Sequence, residues 1–276
     1  YSKNQSIKKE SIKRNERISI IDKEIESWKN LLSNSERMVN ELSERGEDLK
    51  SDFSKQLNAL GWNLSIYLLK KGKLEEGWSL YDNGLRVEAE GKQKWQRSLK
   101  KPLEHSKVPV WKGEDLTGKS IVLLGEQGIG DEIMYSSLIS DLIDTNIKVG
   151  IFMDRRLKGL LSRSLGNHEF IDNQEEAIHK GYSSYIPLAS LCKFFRNSKD
   201  DFEKNNFCFQ SDEKILKKLI TNYKSQKPRI GISWHTESFS HGTQRNIKLS
   251  KLSHLLRNES IDFINLQYGD CDKEIK

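Results

Sequence analysis

The segment Gly125-Glu126-Gln127-Gly128-Ile129-Gly130-Asp131-Glu132 combines glycines, which let a ligand approach the main chain, with carboxylates that can take a proton. It lies between the continuous apolar run Ser120–Leu124 and the helix-like stretch Glu132–Ile143, the position at which phosphate-binding loops occur. The spacing from Gly125 to Gly130 fits a triphosphate loop, but Asp131 and Glu132 stand where that loop needs Lys and Ser or Thr. Two carboxylates repel a triphosphate and leave magnesium without its hydroxyl, so that reading fails. A dinucleotide fingerprint is weak too, because Gly128-Ile129-Gly130 continues to Ile133 where glycine or alanine is required. What remains is Asp131, at a helix N-terminus and at the carboxyl end of a strand, where ligands bind in parallel sheets. It is either a helix cap, worth about 1 kcal/mol, or a general base that takes the proton of a hydroxyl attacking an activated donor. Local sequence leaves both open.

Other chemistry-bearing residues are sparse. Cys192, Cys208 and Cys271 are odd in number and far apart, which fits idle thiols in a reducing compartment. The net charge of +6 is spread along a chain in which lysines alternate with acids and amides, as on solvated surfaces rather than in a nucleic-acid groove. No apolar run reaches the ~18 residues of a membrane span, and no basic-then-apolar leader opens the chain. A soluble, cytoplasmic protein is expected. The first residue is Tyr1, and the chain stops at Lys276 just past an apparent strand, so a fragment is expected.

Helices and strands must position these groups. Ile18, Ile21, Ile25, Trp28 and Leu32 form one helical stripe; Ser33-Asn34-Ser35 interrupts it, Ser35 can cap a new helix, and Met38 and Leu42 resume the stripe before Gly46. Two antiparallel helices are predicted there. Leu57, Leu60, Leu64 and Leu68 line a further helix, Lys71-Gly72-Lys73 turns, and Leu74, Trp78, Tyr81 and Leu85 line its partner. Between Lys92 and Gly118 the periodicity fades into a connector containing Pro102 and Pro109. Then Ser120–Leu124, Lys148–Met153, Glu169–Ile171 and Tyr185–Leu188 alternate with helical patterns, which predicts a parallel, Rossmann-like sheet. Ser211–Tyr223 reads as a helix, and Arg229–Trp234 and Asp262–Leu266 supply one further strand-helix-strand unit.

Leu64, Leu68, Gly72, Gly77, Tyr81 and Gly84 fall where a tetratricopeptide repeat places its apolar, small and aromatic residues, so residues 57–85 resemble one copy of that repeat. Pro109-Val110-Trp111-Lys112-Gly113, Leu116-Thr117-Gly118-Lys119 and Glu126-Gln127-Gly128-Ile129-Gly130-Asp131 extend the resemblance. So do Gly231-Ile232-Ser233-Trp234, Arg245-Asn246-Ile247 and Leu266-Gln267-Tyr268-Gly269. In this order they resemble bacterial tetratricopeptide-repeat proteins that carry a glycosyltransferase domain similar to the heptosyltransferases.

The resemblance implies an α/β architecture: a helical, repeat-like region (1–97), a connector (98–118), an acceptor-side Rossmann-like domain (119–226), and the start of a nucleotide-sugar-binding one (227–276). The two Rossmann-like domains would face each other as in GT-B enzymes. In heptosyltransferases the aspartate after the glycine loop serves as catalytic base, and Asp131 is the matching position. Gly128 and Gly130 would allow close approach of substrate. In the second domain the Ser233 hydroxyl and the backbone near Trp234 would meet a donor diphosphate, and Arg245 would clamp it; for Arg245 a surface ion pair is the alternative. His235 and His241 lack an acidic partner and make a poor metal site. The implied activity is inverting, metal-independent sugar transfer from a nucleotide-diphosphate sugar to a glycan or protein hydroxyl. Donor-binding sequence is expected beyond Lys276, and no nucleic acid or resident cofactor is expected. The rival reading is a scaffold whose repeat helices recruit a protein partner beside a non-catalytic domain.

Overall fold

The computed structural model describes residues 2–44, 50–86, 97, 107–143, 147–166, 168–204, 207–223, 225–236 and 245–275. Gly46, residues 98–106 of the connector and His241 lie outside the described residues. The chain divides into two compact units, Tyr1–Gln210 and Ser211–Lys276.

The first unit begins with α1 (Ser2–Glu44), α2 (Lys50–Lys70) and α3 (Leu74–Tyr81). The break predicted at Ser33-Asn34-Ser35 does not occur: α1 is one helix of 43 residues. Serine and asparagine cost a helix under about 0.7 kcal/mol each. That is outweighed by the docking of Ile21, Ile25, Trp28 and Leu32 against Leu64, Tyr67 and Leu68 of α2. Helices α2 and α3 meet through glycine. A Cβ on Gly77 would lie 2.7 Å from the Leu69 side chain, and one on Gly84 would lie 2.5 Å from the Trp62 ring, so larger residues would hold the pair apart.

Four parallel strands follow: β1 (Ser120–Leu124), β2 (Lys148–Phe152), β3 (Glu169–Phe170) and β4 (Ser184–Pro187), in the order β3-β2-β1-β4. In register, Ile121 pairs with Val149 and Ser184, and Leu124 with Phe152 and Pro187. Side chains alternate faces along a strand. Accordingly Ile121 and Leu123 join one core with Ile139, Ile151, Ile186 and Leu191, while Val122 and Leu124 join another with Val108, Phe152 and Tyr185. Burial on both faces is why β1 reads as a continuous apolar run. The first core also takes in Tyr81, with Trp62, Ile66, Leu69 and Trp78 packed against it, so the helical region and the sheet share one apolar interior.

The second unit contains the helix Glu213–Asn222 and a parallel pair, β5 (Arg229–Ile232) and β6 (Asp262–Asn265), with Arg229 opposite Asp262. Trp234 and Cys271 are buried in it. Among the described residues no helix is long and apolar enough to cross a membrane.

Candidate functional site

The glycine loop leaves the carboxyl end of β1 with a bond from the Gly125 N–H to the Phe152 carbonyl at 2.8 Å. Gly125 is glycine for a steric reason: a Cβ would stand 2.5 Å from Glu132 Oε1 and 3.1 Å from the Met153 Cα. Glu132 is buried and accepts the Asp154 N–H at 2.8 Å, which ties the loops after β1 and β2 together. Gln127 then turns with φ +58°, a left-handed conformation that costs a side-chain-bearing residue about 1–2 kcal/mol. Extended Gly128 (φ −111°, ψ 166°) is the N-cap of α4 (Ile129–Tyr135).

The helix therefore starts before Asp131, and Asp131 sits in its third position rather than at its cap. Its Oδ2 accepts the Gly128 N–H at 3.0 Å, the side-chain half of a capping box. The helix cap expected at Asp131 is therefore Gly128, and the Asp131 carboxylate supports that cap from inside the helix. One carboxylate oxygen orients the group against the loop backbone; the other has no hydrogen bond among the described residues. Asp131 is half-buried, and Gly130 beside it is exposed.

Glu126, the residue of the loop motif with no assigned role in the sequence, is only 1% exposed. Its carboxylate is gripped by Arg97, with Nε to Oε2 at 2.5 Å and Nη2 to Oε1 at 2.7 Å, and it accepts the Ala189 N–H at 2.9 Å. Arg97 also donates to Asp82 Oδ1 at 2.6 Å and to the Ser190 hydroxyl at 2.9 Å, and its guanidinium lies 4.6 Å from the centre of the Tyr81 ring. Lys193 and Ser190 complete the Asp82 carboxylate at 2.7 and 2.6 Å, and the Tyr81 and Tyr135 hydroxyls meet at 3.2 Å. Two cations and two carboxylates thus bind the helical region to the base of the loop. Glu126 has no freedom to act as acid or base; it anchors the segment that carries Asp131. Burial pushes the pKa of the Cys192 thiol beside this cluster up to about 12, which favours the neutral thiol over the thiolate.

Burial alone would raise the Asp82 pKa, but Arg97, Lys193 and Ser190 outweigh it and hold the carboxylate below its ordinary value. Its contribution to stability is complete above the ordinary carboxylate value of about 3.9 and is lost as pH falls through that value and the lower folded one. Asp82→Asn should therefore flatten the acid limb of the stability curve. Urea unfolding at stepped pH between neutrality and about pH 2.5 checks this; equal acid slopes in the two proteins would refute it.

In the second unit Ser233, Trp234 and His235 follow β5, and all three turn their donors onto one atom. Gln267 Oε1 accepts from the Ser233 hydroxyl at 3.1 Å, the Trp234 N–H at 2.9 Å and the His235 N–H at 3.0 Å. Its Nε2 donates to the His235 and Tyr268 carbonyls, each at 3.0 Å. The donors that sequence offered to a diphosphate are committed to this carboxamide. The Trp234 ring is buried, and its indole N–H donates to Glu274 at 2.9 Å. Arg245 is exposed and makes no hydrogen bond among the described residues. A hollow of about 650 Å³ in this unit is lined by Tyr223, Arg229, Leu256, Phe263 and neighbours, and by none of Ser233, Trp234 or Arg245. Among the described residues no group of His, Cys, Asp and Glu could hold a metal ion.

The structure thus gathers Gly128, Gly130 and Asp131 at the start of α4 in the first unit, and Ser233, Trp234 and Arg245 on the loops after β5 in the second. Sequence reasoning missed Arg97, Asp82 and the role of Gln267. For Glu126 a signal existed, since a charged residue directly after a doubly buried strand needs a partner.

No known protein-family profile matches the chain, and no solved structure matches it. Among curated proteins it is similar to Protein FlbA of Caulobacter vibrioides, 24% identical over 238 residues that cover 75% of this chain and 37% of that protein. The chain therefore spans little more than a third of that relative's length.

Proposed function

We propose that the full-length protein is an inverting glycosyltransferase of GT-B type, moving a sugar from a nucleotide-diphosphate donor to a glycan or protein hydroxyl. The observation that carries this is the Asp131 carboxylate, held near the carboxyl end of a strand of a parallel sheet by one backbone amide, its second oxygen without a hydrogen bond among the described residues. Ligands bind parallel α/β sheets at that edge. A carboxylate so oriented can take the acceptor hydroxyl proton as that oxygen attacks the anomeric carbon. Attack from the face opposite the departing diphosphate breaks the bond from carbon to phosphate oxygen in a single displacement and inverts the configuration. The leaving group carries two phosphates' charge, and the exposed Arg245 guanidinium is suited to meet it without a metal. Residues 57–85, with close-packed helices through Gly77 and Gly84, fit one tetratricopeptide-like repeat built onto the acceptor-side domain. The reaction would run in the cytoplasm, where nucleotide-sugars are available.

The test is release of nucleoside diphosphate by the full-length protein from a panel of nucleotide-sugars, with and without hydroxyl acceptors. Acceptor-dependent release is expected. Neither release nor calorimetric binding with any donor would reject the proposal and favour a scaffold.

A further inference from the structure

We propose that Gln267 is a positioning residue for Arg245, the two forming one anion-binding unit at the carboxyl ends of β5 and β6; the proposal rests on the donor-binding reading above. Gln267 is 8% exposed and uses every valence of its carboxamide, three donors on its oxygen and two acceptors on its nitrogen. Those bonds fix the backbone of residues 233–235. That backbone in turn holds the residues after Arg245: the Trp234 carbonyl accepts the Ile247 N–H at 3.0 Å. Asn246 Oδ1 accepts the Thr236 N–H at 2.7 Å, and Asn246 Nδ2 donates to the Thr236 carbonyl at 3.2 Å. Arg245 directly precedes this clasp, and its side chain is left exposed.

Successive backbone N–H groups joined by a hydroxyl make a concavity suited to an anion. Here a neutral carboxamide oxygen fills it, so its donors organise the loop and the positive charge is left to Arg245. A different arrangement, in which Gln267 merely occupies the concavity until a phosphate oxygen displaces it, makes the opposite prediction. Removing a positioning carboxamide weakens anion binding; removing a plug strengthens it.

ADP, GDP, UDP and CDP are titrated calorimetrically into the full-length protein and its variants, with the folded fraction fixed by thermal unfolding. With the diphosphate that binds, Arg245→Ala should weaken affinity about 10-fold or more, the loss of a charge-assisted contact. Gln267→Met, which keeps the shape without the hydrogen bonds, should weaken it about 10-fold. The double variant should be no weaker than Arg245→Ala alone, because the carboxamide acts through the guanidinium. Additive losses, tighter binding by Gln267→Met, or unchanged binding by Arg245→Ala would each overturn the proposal while leaving the donor-binding reading intact. No binding by the wild-type protein would remove both. Should Gln267→Met fail to fold, Asn246→Ala, at an exposed position in the clasp through which the Gln267-bound backbone holds Arg245, should give the same loss and the same non-additivity with Arg245→Ala.

Discussion

Asp131→Asn should lower sugar-transfer turnover of the full-length protein at least ~100-fold, about 2.7 kcal/mol of transition-state stabilisation, while leaving the fold intact. The asparagine carbonyl can still accept the Gly128 N–H, so the capping geometry persists. Only the negative charge at the start of α4 is lost, worth about 0.3–1 kcal/mol of stability. The isosteric change thus separates the two roles of the side chain. A cap needs an acceptor, which asparagine supplies; a general base needs a free pair that can be protonated, which it does not. Asp131→Ala removes both and should add a further loss of about 1 kcal/mol in stability, the worth of the one hydrogen bond to the Gly128 N–H. Steady-state turnover and thermal unfolding of the three proteins decide between them. Asparagine turnover within a few-fold of wild type would reduce Asp131 to a support of the Gly128 cap and remove the chemical basis of the proposed reaction.

The second large effect concerns Arg97, whose side chain is fully buried and serves two carboxylates. Arg97→Ala leaves the sealed Glu126 carboxylate without its cation and Asp82 with Lys193 and the Ser190 hydroxyl. Breaking a buried pair from one side costs about 3–5 kcal/mol, a large part of the roughly 5–15 kcal/mol that holds a domain together. Arg97→Lys should recover little, because an ammonium cannot reproduce the paired bonds of the guanidinium to Glu126 while also reaching Asp82. Arg97→Met combined with Glu126→Gln removes both charges at once and should cost much less than Arg97→Ala. Urea unfolding followed by tryptophan fluorescence, with Trp62 and Trp78 reporting on the helical region, measures all three. A loss below about 1 kcal/mol for Arg97→Ala would mean that the cluster is not what couples the helices to the sheet.

Some of this was legible along the chain. An uninterrupted apolar run at Ser120–Leu124 marks a strand covered on both faces, and glycines between it and a helical pattern mark a loop at the ligand-binding edge. The small residues Gly77 and Gly84 marked a close helix pair. Other features were not legible. The polar triplet Ser33-Asn34-Ser35 predicted a break that docking on α2 overrides, because tertiary burial exceeds the small helix penalties of those residues. Asp131 was assigned to the helix N-terminus without a sequence signal for whether Gly128 or Asp131 began the helix.

The sequence by itself determined where the strands of the first unit lie, the parallel character of their sheet, and the turn after β1 that leads to Asp131, because periodicity records which face of each element is buried. Only the tertiary structure decided that Glu126 is a sealed anchor, since its partner Arg97 lies 29 residues upstream. It alone decided that the donors of Ser233 to His235 converge on Gln267, where the Ser233 bond spans 34 residues. Hydrogen bonds and ion pairs between distant residues leave no periodic trace. A glutamate meant for catalysis and one meant for burial are the same letter until their neighbours in space are known.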